Sequence, residues 1–531
     1  MRLRPEGSLR RSSARVALAL SLIAPVLGGA SGPVDTTDPT SLLPVVRVPG
    51  LAMAVIDEGE VSAVRLFGLA DADSAKPVTE ETLFEAASLT KPLFATVVLR
   101  LAERGEFDLD RPLHQYLASE RLAHDPRSRQ LTARIVLSHR TGLPNWGPDR
   151  LEFEFAPGER FGYSGEGYQY LQQVVEEVTG STLDQLARRE IFEPLGLVHS
   201  RLSWEESATP VLAAPHDMAG MAGEKRQVRE AMAAATLHTT AEEYAKFMAA
   251  WMGGRLLRPR TMAMALEPVA RIEPAADDPE AQRAAGRRIA WGLGWGLQLP
   301  AGDAEGVIAM HWGDNGDFKA FAAFDPRARS GVVYFANGAN GLAIGEALAE
   351  PVVGDLTPTF DWLGYRRWDD PGEGERLAGV AAAAGGRHEE AIDNFRAALA
   401  AGSEDDSLAR RIEWLEDLIE LRASPVEVPV EILERWVGRY GPRTIAHDGD
   451  SLVYARDGRP PYRLIPLSPT LFLLEGETDF RLEIGLDAAG QPVKLIGRYV
   501  NGHVDESPRD SGCSGRAQAN GGSRHSKIST V

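Results

Sequence analysis

The spacing of apolar and polar positions changes several times along the chain, and each change marks an element. GLAMAVIDEGEVSAVRLFGLAD, over 50–71, alternates as strands do, and Glu58-Gly59 supplies a turn between two of them. From Leu93 to about Glu103 apolar residues recur at helical spacing, with Gly105 as a natural stop. Residues 106–290 mix amphipathic helices with long loops. One helix is predicted near 167–179, ending at Gly180, and another near 240–252, ending at Gly253-Gly254. After 291 the strand pattern returns in WGLGWGLQL, GVIAMHW, FKAFAAFD and GVVYFANG, separated by Asp, Asn and Gly turns. Strands at both ends with helices between them predict an antiparallel sheet closed by the two chain ends, plus a mostly helical insertion.

The pattern then shifts twice more. GVAAAAGGRHEEAIDNFRAALAAGSED has the small/large spacing of a tetratricopeptide-like helix pair. One such unit cannot bury its own apolar face, so it is expected to pack on a neighbour as a spacer or to meet a protein partner. From 426 onward, short alternating segments punctuated by Asp448-Gly449, Asp457-Gly458 and Asn501-Gly502 predict a small all-β domain. Residues 507–531 are rich in Ser, Gly and Arg without apolar period and are expected to form a disordered tail. At the other end, Arg2, Arg4, Arg10, Arg11 and Arg15 precede the apolar run VALALSLIAPVL and the small residues Gly28-Gly29-Ala30. That order predicts a cleaved secretory signal and an exported protein, periplasmic or secreted. The run falls short of the roughly 20 residues of a spanning helix, and Pro25 interrupts it, so no transmembrane span is expected in the mature chain.

Composition narrows the function. With 57 basic and 76 acidic residues the net charge is −19, which argues against a nucleic-acid partner. Cys513 is the single cysteine, so an intrachain disulfide, a multi-cysteine zinc site and an iron–sulfur cluster are excluded. No His-x-x-x-His pattern occurs either, and neither a metal nor another cofactor is expected.

Three short segments carry possible chemistry. Ser88-Leu89-Thr90-Lys91 lies where strand and loop give way to helix, and its spacing puts Ser88 and Lys91 side by side. A serine hydroxyl needs a neighbouring base, and a lysine serves if burial keeps its amine neutral; arginine cannot. Only seven of the 57 basic residues are lysine, so its presence here is notable. Tyr163-Ser164-Gly165 precedes a predicted helix, and a tyrosine held near a lysine relays protons if positive neighbours acidify it. His311-Trp312-Gly313-Asp314 ends a predicted strand. There His311 is a possible hydrogen-bond donor to an acyl group or carboxylate, and Gly313 would let substrate backbone approach. The amides of Ser88 and Asp314 would form an oxyanion hole. Each segment alone also fits a plain structural role: a helix cap beside a surface lysine, a packed turn tyrosine, a strand-end histidine. Trp146, Trp295, Trp312 and Phe318 are possible cleft walls. No Gly-x-Ser-x-Gly elbow occurs; GYSGE at 162–166 misses at its last position.

In this order the segments resemble the serine β-lactamase and penicillin-binding protein superfamily, and most closely its β-lactamase-related hydrolases. LFEAASLTKPLFA, LSHRTGLPNW, YSGEGYQYL, GLGWGLQL and HWGDNGDFKAF carry the likeness over about 45–365. VGRYGPR and the stretches after it resemble the β domain that often trails such enzymes. The resemblance implies an α/β (α+β) fold: a β-lactamase/transpeptidase-like antiparallel sheet flanked by helices, plus an all-helical subdomain. It implies a hydrolase domain at 45–365 and a trailing β domain at 425–506; with the readings above, the chain divides further into a signal at 1–30, a linker at 31–44, a helical segment at 366–424 and a tail at 507–531. It implies Ser88 as the acylated nucleophile, Lys91 as its base, Tyr163 as the second-motif tyrosine, and His311 with Gly313 as the third motif in a His-x-Gly form. Lactam-processing members carry Asn where this chain has Gly165, and many carry Lys where it has His311. Both differences favour a plain ester or an unusual amide, taken from a small molecule or peptide, over an antibiotic. The alternative is a catalytically inactive ligand-binding or sensor protein.

Overall fold

The computed structural model describes residues 39–273, 279–302, 306–449, 451–456 and 461–510. β1 (Gly50–Asp57) and β2 (Glu60–Asp71) form the predicted hairpin, with Glu58 and Gly59 both at positive φ, as a tight two-residue turn requires. β3 (Lys76–Pro77) and β4 (Phe84–Ala87) lead into a helix at Thr90–Glu103. Two further helices, Gly165–Thr179 and Ala241–Met252, stand within two residues of the predicted bounds. β5 (Leu237–Thr239) pairs with β4, apart from the main sheet. β6 (Ala270–Arg271), β7 (Ile289–Trp291), β8 (Gly296–Gln298), β9 (Ile308–Asp314), β10 (Lys319–Asp325) and β11 (Ser330–Ala336) complete a nine-stranded antiparallel sheet. Its order is β3-β2-β1-β11-β10-β9-β8-β7-β6, so the first and last long strands of residues 50–336 lie side by side.

Alternation along the strands sends side chains to two cores. Ala52, Ala54, Ala320, Ala322, Val333 and Phe335 meet the helices at 90–103 and 241–252. Leu51, Met53, Phe321, Val332 and Tyr334 meet the helices Gly345–Val353 and Thr357–Leu363. The centre of the sheet is thus covered on both faces, which explains the nearly continuous burial of β1, β10 and β11, while β2 keeps an alternating, part-exposed pattern. Residues 39–48, expected to be part linker, instead pack Leu42, Leu43 and Val46 into the second core.

Three helices follow, Glu373–Ala384, His388–Ala400 and Ser407–Ala423, one more than the predicted pair. The third contributes Leu408 and Leu415 to a core shared with Phe395 and Ala391, so the segment buries its own apolar faces. A helix at Val430–Trp436 introduces eight antiparallel strands in sequence order: β12 (Gly438–Tyr440), β13 (Arg443–Asp448), β14 (Ser451–Arg456), β15 (Tyr462–Pro466), β16 (Leu471–Leu474), β17 (Phe480–Leu486), β18 (Pro492–Tyr499) and β19 (Val504–Pro508). The Asp510 amide donates to Arg439 O at 3.0 Å, which brings the last strand back to the first and nearly closes a barrel. β19 carries order past the expected start of the tail, and Ser507 is buried opposite Leu495. The predicted signal, the Asp457-Gly458 turn and the tail from 511 lie outside the described residues. Among the described residues no helix is long and apolar enough to cross a membrane.

Candidate active site

The β4–helix junction is built to present one hydroxyl. Ala87 adopts φ 47°, a left-handed conformation that costs a non-glycine residue about 1–2 kcal/mol. The bend aims Ser88 out of β4, and the helix begins two residues later. Thr90 Oγ1 donates to Ala87 O at 2.6 Å and accepts the Leu237 amide at 3.0 Å, while Tyr244 Oη donates to Leu89 O at 2.9 Å. These bonds brace the strained turn.

Lys91 Nζ lies 3.0 Å from Ser88 Oγ and 2.8 Å from Ala234 O. Lys91 is fully buried. Burial lowers its pKa to about 7, far under the usual lysine range, because an ammonium there loses its water. A neutral amine can donate to Ala234 O and accept the Ser88 proton, as a base must.

Tyr163 is brought to the same spot, with Lys91 Nζ 4.8 Å from its ring centroid. Its hydroxyl is buried without a hydrogen bond of standard geometry among the described residues. Burial raises its pKa, outweighing the lowering by Ser88. The expected acidified tyrosine is therefore corrected: Tyr163 stays protonated because desolvation of the phenolate dominates.

His311 also changes role. It is buried on β9, and its Nδ1 lies 2.7 Å from Trp312 O. A carbonyl only accepts, so Nδ1 carries the proton and Nε2, which has no hydrogen-bond partner among the described residues, is an acceptor. Burial, with the nearby Lys91, holds its pKa down to about 3, so it is neutral and its Nε2 cannot supply the expected hydrogen bond.

β9 places the Asp314 amide by register. The Asn315 amide donates to Phe318 O at 3.1 Å, and β9 pairs Asp314 with Lys319. Alternation then turns the Asp314 amide away from β10, toward the side where β8 stops opposite Met310. The Asp314 carboxylate is pinned by Lys319 Nζ at 2.5 Å and Tyr365 Oη at 2.7 Å. Gly313 makes room for protein: a Cβ there would meet Ala86 O at 2.5 Å. The segment carrying Ser88 therefore takes the space expected for substrate backbone.

Gly165 opens the helix at 165–179 and donates to Asn145 Oδ1 at 2.9 Å; a Cβ on it would meet Trp146 at 3.0 Å. Trp146 is 47% exposed and lies over this helix end. Trp312 is partly buried, 5.1 Å from the Tyr163 ring. Trp295 and Phe318 are not cleft walls: both are buried in the core, Trp295 against Trp251 and Phe324. His139, not singled out in the sequence, stacks on Tyr163 at 4.2 Å and accepts the Ser164 amide on Nδ1 at 3.0 Å. Its own φ of 51° has no local signature.

The family model described as Beta-lactamase matches residues 44–352. The chain belongs to the Beta-lactamase family. This Beta-lactamase family member is 33% identical over 183 residues to Esterase EstB of Burkholderia gladioli, covering 28% of this chain and 46% of that one. It is 28% identical over 187 residues to Penicillin-binding protein 4 of Amycolatopsis lactamdurans, covering 32% and 49%. The chain spans about half the length of these curated relatives. A solved structure, the octameric penicillin-binding protein homologue from Pyrococcus abyssi, aligns over 88% of this chain and 96% of that chain, with a TM-score of 0.48 and 18% identity.

Proposed function

We propose that the protein is an exported carboxylesterase-type serine hydrolase working through an acyl-enzyme. The observation that carries this reading is the buried Lys91 amine, 3.0 Å from Ser88 Oγ. Lys91 takes the Ser88 proton as Oγ attacks the carbonyl carbon. The carbonyl oxygen becomes an oxyanion held by the amides of Ser88 and Asp314. Tyr163, protonated, donates to the leaving alkoxide and regains its proton from Lys91. Water then attacks the acyl carbon by the same route, releasing the acid and restoring Ser88. Ester over lactam is supported by Gly165, where a side chain to hold a substrate amide is missing and Asn145 and Trp146 fill the space. Export is supported by the basic, apolar and small-residue order of residues 1–30.

The test is a fluorophosphonate probe and a panel of p-nitrophenyl esters, D-amino-acid amides, D-Ala-D-Ala peptides and nitrocefin. Wild type is expected to label and to turn over esters fastest, and Ser88→Ala to do neither. Labelling that survives Ser88→Ala, or a nitrocefin rate above the ester rates, overturns the reading.

A further inference from the structure

Lys91 Nζ has two hydrogen-bond partners among the described residues, Ser88 Oγ and Ala234 O. A neutral amine carries two N–H bonds and one lone pair, so the bond to Ala234 O fixes its rotation and turns the lone pair toward Ser88. Gly165 brings no side chain to share this task. The direction of the amine therefore depends on where Ala234 O stands. Ala234 lies in a turn at 231–236 whose own backbone bonds run from the Ala235 and Thr236 amides to Met232 O. These bonds close the turn on itself and fasten it to no other element.

Two carboxamides from distant elements do the fastening. Gln172, on the helix at 165–179, accepts the Ala233 amide on Oε1 at 2.7 Å and donates from Nε2 to Ala231 O at 2.8 Å, gripping the turn just before Ala234. Its Nε2 also donates to Glu176 Oε1 at 3.3 Å, and that oxygen accepts the Leu183 amide at 2.7 Å, so the carboxamide is itself held. Gln172 is buried, and a leucine would fill its place without the cost of taking a polar group out of water. What the glutamine adds is its pair of bonds to the turn. Just after Ala234, Asn315 donates from Nδ2 to Ala235 O at 3.3 Å and to Glu85 Oε2 at 2.7 Å. Glu85 is buried on β4, three residues before Ser88. Arg226 Nη2 pairs with Glu85 at 3.1 Å and donates to Asn315 O at 2.6 Å. One asparagine thus links the strand that leads to Ser88, the turn that receives Lys91 and the residue next to the Asp314 amide.

We propose that Gln172 and Asn315 are positioning residues for Lys91: they clamp the 231–236 turn before and after Ala234, and so hold the carbonyl that aims the lysine lone pair at Ser88 Oγ. This role rests on Lys91 being the base, as proposed above. The bond from nitrogen to carbonyl is stronger when the nitrogen is charged, so the clamped carbonyl also favours the ammonium and works against burial. Releasing the turn therefore has a signature that general loosening lacks. In Gln172→Leu the space stays filled and apolar, so no water replaces the carbonyl and the lysine loses its proton more easily. General loosening would admit water to the amine and do the reverse.

The test measures p-nitrophenyl butyrate turnover against pH in the full-length protein, for wild type, Gln172→Leu and Asn315→Ala. Each variant is expected to lower kcat about ten-fold with KM within about two-fold of wild type. The rise of kcat/KM with pH, centred near 7 in wild type, is expected to move down by about half a pH unit in Gln172→Leu. Fluorophosphonate labelling of Ser88 supplies the second readout. Gln172→Leu is expected to slow labelling about ten-fold in the wild-type background and less than about two-fold in Lys91→Ala, where no amine is left to aim. Should Lys91→Ala label too slowly to time, the pH midpoint decides; should Gln172→Leu not fold, Asn315→Ala decides through the same midpoint. A midpoint that stays or moves up overturns the proposal, as does equal slowing of labelling in both backgrounds. Variants with kcat within about two-fold of wild type overturn the clamp and leave Lys91 as the base. Lys91→Ala that keeps wild-type turnover overturns the underlying reading instead.

Discussion

Lys91 concentrates the electrostatics of the site in one side chain. Its amine has a folded-state pKa of about 7 against about 10.4 when unfolded. Two outcomes follow from that difference. First, kcat/KM for an ester should rise with pH through about 7, because only the neutral amine accepts the Ser88 proton; a pH–rate profile without that rise would contradict the assignment. Lys91→Arg, with a group that stays charged, should lose about 10³-fold in activity. Second, burial penalises the charged form, so between about pH 7 and 10.4 the unfolded chain binds more protons than the folded one. Folding stability should therefore climb with pH across that window and forfeit the gain as pH falls back through about 7. Lys91→Met should unfold at a higher temperature than wild type near pH 6, and the gap should narrow by pH 9, measured by calorimetry. His311 is held neutral by the same desolvation, so no rate change is expected from it near neutral pH.

Between residue and fold, β9 and its turn hold the Asp314 amide in place through contacts made by other elements. Tyr365, just past the helix at 357–363, binds the Asp314 carboxylate at 2.7 Å and acts as a positioning residue. Tyr365→Phe should lower kcat several-fold, by about 1 kcal/mol, with KM little changed; a pure KM effect would point to substrate contact instead. Gly313→Ala sets a methyl against Ala86 O, a backbone atom of the strand that carries Ser88. It should cost about 1–3 kcal/mol of stability and lower kcat more than KM, checked by denaturant melts beside ester kinetics. Both predictions concern spacing between strands. The sequence showed the β9 pattern and its Gly, but assigned the glycine to substrate, because a glycine's need for space does not say what fills it. His139 was missed for a related reason: its role comes from stacking on Tyr163, and an isolated histidine in a loop carries no periodic signal.

Across the molecule, the three-helix segment and the barrel are joined by charged side chains. Arg411 pairs with Asp479 at 2.6 Å, and Arg481 pairs with Asp417 at 2.8 Å while lying over Trp414. Arg481→Met is expected to lower the melting temperature of the C-terminal region while ester turnover stays within about two-fold of wild type, followed by calorimetry and by activity on the same sample. By itself the sequence determined the strand–helix–strand order, the hairpin at Glu58-Gly59, the small β domain and the Ser-x-x-Lys, Tyr and His segments. These depend on local period, turn chemistry and spacing, which neighbouring residues alone express. The tertiary structure decided which face each residue meets. It sent Trp295 and Phe318 into the core and drew Ala234, 143 positions from Lys91, to the lysine amine. It also turned His311 into an acceptor and shut the Arg443 guanidinium inside the barrel. Desolvation and hydrogen-bond partnership are supplied by segments far apart along the chain, so they exist only once those segments meet.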